Sequence, residues 1–92
     1  MQIVIKAENG TIYFNPQSIE FVENRTTTKG ERVSTIILTF PGKRVAASDN
    51  YPLRTVKAVV NEIYRVLDET VIRNCFCFDI KALIEEFQDQ EE

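Results

Sequence analysis

The apolar residues of this chain change period once, at Tyr51-Pro52. From Ile3 to Ser48 they alternate or run in short blocks between turn residues, the pattern of strands half-buried in a sheet. Beyond Pro52, Leu53, Val56, Val59, Val60, Ile63 and Leu67 recur at helical spacing, while Arg54, Lys57, Asn61, Glu62, Arg65 and Asp68 fall on the opposite side. Neither segment can bury its apolar residues in the other's conformation, so the chain is held to an α+β fold. Three valines and an isoleucine lower the helix's own propensity, and its stability must come from packing on the sheet.

Finer punctuation divides the first half. Ile3, Ile5 and Ala7 share one face of a first strand, and Asn9-Gly10 predicts a two-residue hairpin turn into Thr11 to Asn15. That turn places Ile12 and Phe14 on the core side and Tyr13 away from it. Pro16 ends the second strand, and a third begins near Ser18 with Ile19 and Phe21 on a common face. A longer hairpin with its tip at Thr26 to Glu31 returns through Val33 to Phe40, and Pro41-Gly42 turns into a short fifth strand, Arg44 to Ser48. The helix is expected over 53 to 69, with Pro52 in its first turn and Asp49 or Asn50 near its cap. Thr70 to Phe78 reads as a strand with both faces at least partly covered. Asp79 then caps a last amphipathic helix carrying Ile80, Leu83, Ile84 and Phe87, with an acidic tail that frays after Gln88.

The resulting architecture is an antiparallel sheet of four to five strands with one long helix on a face, then a short strand and a carboxy-terminal amphipathic helix. No linker, repeat or composition break divides residues 1 to 92, so one small domain is expected. Val4, Tyr13, Val22, Val33 and Ile37 fall on the faces away from the assigned core, and one helix cannot cover both sides. Either the last helix wraps the second face or another copy does, and homodimerisation is the preferred expectation.

Composition removes most catalytic chemistry. The sequence has no histidine and two cysteines, which excludes Ser-His-Asp and Cys-His pairs and any histidine metal ligand. No Gly-rich phosphate loop or GxSxG elbow occurs, and the acids Glu20, Glu23, Glu62 and Asp68 sit on faces expected to be exposed, with no pocket to pair them. The chain is read as non-enzymatic, with no cofactor. Its amino terminus lacks a basic stretch followed by an apolar run, so a cytoplasmic location without membrane attachment is expected, with both thiols reduced. Cys75 and Cys77 would project from the same face of a strand, as two ligands of one metal do, but a closed tetrahedral site needs two more soft donors that the chain lacks. Only a metal shared across a dimer would complete it. The expectation is therefore no metal, with the two thiols acting as small buried hydrophobes.

Charge is segregated along the sequence. Residues 25 to 57 carry a net +5 and residues 80 to 92 a net −4, within an overall −3. Arg25, Lys29 and Arg32 make a basic hairpin tip that could touch phosphates, although a pI near 5.0 and the lack of a stacking aromatic at the tip weigh against nucleic acid. Glu85, Glu86, Asp89, Glu91 and Glu92 oppose the dipole of the last helix, so the pattern does not serve helix stability. These five acids are the candidate surface for a basic partner, including a protein that itself binds nucleic acid. The order NG, NPQSIEFVE, STIILTFPGK and a following helix loosely resembles bacterial flagellar accessory proteins of the FlbD family over residues 3 to 66. That likeness rests on turn positions and apolar alternation, and it carries over no function and no residues. The reading is a small protein-interaction module, an adaptor, regulator or inhibitor acting as a homo-oligomer. Its alternatives are a nucleic-acid-binding regulator using the basic hairpin and a small-ligand binder at a subunit interface.

Overall fold

A computed structural model of the chain describes residues 1–24, 29–69 and 73–89. The element order is β1 (Gln2–Lys6), β2 (Ile12–Phe14), β3 (Ser18–Glu23), β4 (Val33–Phe40), β5 (Lys43–Ala46), β6 (Tyr51–Pro52), α1 (Leu53–Leu67), β7 (Cys75–Asp79) and α2 (Ile80–Asp89). The α+β class read from the change of period holds. The strands divide into two sheets, one ordered β2-β1-β7 and the other β3-β4-β5, with β6 also paired to β4. All pairs are antiparallel except β1 with β7, which run parallel.

The first hairpin corrects the reading of its faces. Ala7 N–H donates to the Thr11 carbonyl, leaving a three-residue loop in which Gly10 takes a φ of +92°. A two-residue turn would set Ile5 opposite Phe14, whereas the observed register sets Ile5 opposite Tyr13 and Val4 opposite Phe14. Because side chains alternate with period two, this slip of one residue turns the whole of β2 over. Tyr13 packs toward the core, with its ring 5.8 Å from that of Phe40, while Ile12 and Phe14 remain 48% and 53% exposed. Asn15, at a φ of +52°, ends the strand, and its side-chain carbonyl accepts from Ile3 N–H. Pro16 follows, so β3 begins a separate sheet.

Ile5, Ile36, Leu38, Val56, Val59, Ile63, Ile80 and Ile84 are almost completely buried and belong to one contiguous core. The helix α1 packs on β3 and β4, α2 packs on β1 and β7, and the helices touch each other. The last helix therefore joins the same core and does not wrap the far side of the strands. Asp79 accepts from Ala82 N–H at 3.1 Å, as expected of its cap. At the start of α1 no side chain caps the helix, and Pro52 stands at the capping position itself. Asp49 and Asn50 are engaged elsewhere, Asp49 N–H by Glu8 and the Asn50 side chain by Asn24 and Thr35.

The strand expected over Thr70 to Phe78 is observed as Cys75–Asp79, and Val71 and Ile72 lie outside the described residues. It is not covered on both faces. Phe76 and Phe78 pair with Ile3 and Ile5 and are buried, whereas Cys75 and Cys77 share the opposite face with Val4 and Phe14 and are exposed. The expectation of buried thiols is thus overturned by the side of β7 that meets the core.

Candidate functional site

The two strands that flank β4 on one side, β5 and β6, are separated by residues 47–50, which bulge out of the ladder. Ala47 N–H still donates to the Ile36 carbonyl, but Ile36 N–H turns to the Ser48 hydroxyl at 3.0 Å. This side-chain substitution keeps the ladder satisfied while the backbone swings out. The loop between β1 and β2 meets the bulge: Glu8 N–H donates to the Ala47 carbonyl, and the Glu8 carboxylate accepts from Asp49 N–H at 2.8 Å and from the Tyr51 hydroxyl. Glu8 thereby ties the two sheets together. A cleft of about 300 Å³ opens beside it, lined by Glu8, Asn9, Ala46, Ala47, Ser48 and Asp49.

Acidic residues from two separate segments meet at this cleft, Glu8 from the β1–β2 loop and Asp49 from the bulge. The Tyr51 phenol is pushed up from 10.0 to about 12, first by its hydrogen bond to Glu8, then by burial and by the negative charges of Glu8, Asp49 and Glu85. A phenol resists ionising where carboxylates already surround it. Glu85 belongs to α2, a helix that packs on β1, β7 and α1, and its charge is the smallest of the influences on the Tyr51 phenol. Glu85, Glu86 and Asp89 are all exposed, and α2 has no basic residue in its last turn. Glu91 and Glu92 lie outside the described residues. Sequence reasoning missed Glu8, Asp49 and Tyr51, since they are local to nothing but the fold; the polar run Ser48-Asp49-Asn50 between strand segments was the one visible sign of a bulge.

No known protein family, curated protein or solved structure matches this chain.

At the β3–β4 hairpin, Lys29 and Arg32 are exposed, and Arg25 lies outside the described residues. Arg32 pairs with Glu23 across the hairpin, and Arg44 pairs with Glu20 at 3.3 Å on the same sheet. Both pairs are solvent-exposed and contribute little to stability, but they reduce the positive potential a phosphate would meet.

On the outer face of the first sheet, the Cys75 and Cys77 sulfurs stand 3.6 Å apart, and Cys75's thiol is raised above its ordinary value by its hydrogen bond to Cys77. Among the described residues, no three His, Cys, Asp or Glu side chains gather as metal ligands, and no helix is long and apolar enough to cross a membrane.

Proposed function

We propose that this chain is a non-enzymatic protein-interaction module, a cytoplasmic adaptor, regulator or inhibitor that receives a basic partner protein on its acidic surface. The observation that supports the reading is the run of exposed acids Glu85, Glu86 and Asp89 along α2, with a second acidic spot where the Glu8 carboxylate accepts from Asp49 N–H and the Tyr51 hydroxyl. Such a surface steers a positively charged partner during encounter, and long-range steering acts mainly on association rate. This chain would then act by steric occlusion or charge complementarity, masking the site of the bound partner.

Titration with an arginine-rich peptide and with duplex DNA, at about 50 mM and about 200 mM salt, tests the reading. The peptide is expected to bind, to weaken as salt rises, and to lose association rate when Glu85→Gln, Glu86→Gln and Asp89→Asn are combined. DNA is expected not to bind. Salt-sensitive DNA binding lost on Lys29→Gln with Arg32→Gln, together with unaltered peptide kinetics in the acid variant, would transfer the function to the basic hairpin.

A further inference from the structure

We propose that Cys75 and Cys77 from two copies of this chain together hold one zinc ion, closing a tetrathiolate site between the outer faces of two β2-β1-β7 sheets. This site is separate from the acidic surface and does not depend on it.

The spacing of the thiols suits the metal. Their sulfurs lie 3.6 Å apart, close to the edge of about 3.8 Å that a tetrahedron with Zn–S bonds near 2.3 Å requires. Both are exposed and on one face, because β7 presents Phe76 and Phe78 to the core and the alternate residues outward. Neither thiol is needed for packing. The sequence supplies no histidine and no third cysteine, so one chain offers two soft donors and a closed site needs a second chain. A two-fold axis through the ion makes each copy contribute the same pair, which is the isologous arrangement of a closed dimer.

The surrounding face fits a second copy. Parity along the ladders places Val4, Ile12, Phe14, Cys75 and Cys77 together, with Lys6 and Asp79 in register as its charged members, so the face carries no net charge against its own image. Two opposed rows of thiols and a tetrahedral ion span on the order of 8–9 Å, near the ≈10 Å at which sheets stack. From the exposures of Ile12 and Phe14, the large apolar side chains of the face offer roughly 200 Å² per copy, against roughly 800 Å² for a standard interface. The apolar face alone falls short of a stable dimer, and the ion supplies the difference. Binding takes Zn²⁺ and the four thiols to a dianionic tetrathiolate and releases four protons, so affinity rises with pH through the thiol range.

The test is titration of the reduced full chain with Co²⁺ and then Zn²⁺, followed by absorbance and by sedimentation velocity. The expected result is a tetrahedral cobalt–thiolate spectrum that saturates at one ion per two chains, bleaches on adding zinc, and accompanies a doubling of mass from 10.6 kDa. Cys75→Ser and Cys77→Ser should each abolish the spectrum and the doubling, with an unaltered circular dichroism spectrum because the side chains are exposed. Phe14→Lys should keep both thiols and prevent the doubling. The proposal is overturned by no thiolate spectrum, by saturation at one ion per chain without a change in mass, or by a dimer that forms equally without metal and in the serine variants. None of these outcomes bears on the acidic surface, which the arginine-rich peptide reads independently.

Discussion

Ile12 and Tyr13 are neighbours whose positions the alternation of β2 decides together, and the length of one loop decided which of them meets the core. The sequence shows Asn9-Gly10 plainly, but not whether the turn holds two residues or three, and each choice gives an equally regular strand. Where the constraint was local, single residues were legible: Leu38 and Ile63 sit at the centre of the expected sheet–helix contact and are both fully buried. Truncating either to Ala should cost about 2–5 kcal/mol, a large share of a small domain's stability, and should lower the urea midpoint without changing the slope. An unchanged midpoint in both would mean that α1 does not pack on β4. Tyr51 makes a second prediction. The folded chain holds the phenolic proton more tightly than the unfolded chain does, so the stability this group contributes is full below pH 10 and is lost as pH rises through about 12. Spectrophotometric titration should show one phenol ionising near pH 12, and Glu8→Ala should bring it down toward 10. A Tyr51 that titrates identically in both proteins would remove Glu8 from the site.

The elements were legible in proportion to how local their signals are. The bounds of β3, β4, α1 and α2 follow from period, Pro16, Pro52 and the Asp79 cap, all readable within a few residues. The parallel pairing of β1 with β7 was not, because nothing in either strand names a partner some seventy positions away, and that pairing puts β1 at the centre of the first sheet. Tyr64 was missed for a similar reason: its hydroxyl both donates to the Ile19 carbonyl at 2.9 Å and accepts from Ile19 N–H at 3.0 Å, closing part of the open edge of β3 from the helix side. Neutralising Glu85, Glu86 and Asp89 together should leave the fold intact and raise thermal stability slightly, by a few tenths to about 1 kcal/mol, because acids near a helix carboxy terminus oppose its dipole. A large loss of stability would show that these acids are structural and would take them out of the proposed interface.

At the scale of the whole molecule, one core binds both helices to the inner faces of both sheets and leaves two surfaces with distinct characters. The outer face of β2-β1-β7 is apolar and bears the paired thiols, while Glu8 and Asp49 meet beside Tyr51 and α2 carries Glu85, Glu86 and Asp89 exposed. The sequence announced an acidic carboxy terminus and a second apolar face. It did not disclose where they lie, since both depend on the hairpin register and on the β7 pairing. The central claim is that the acids act as one recognition surface, and nitrogen–proton correlation spectra of this 10.6 kDa chain during titration with an arginine-rich peptide test it most directly. The account predicts shifts concentrated at Glu8, Asp49, Tyr51, Glu85 and Glu86, reduced at higher salt. Shifts centred on Lys29 to Val33, or spread evenly over every acidic residue, would contradict it.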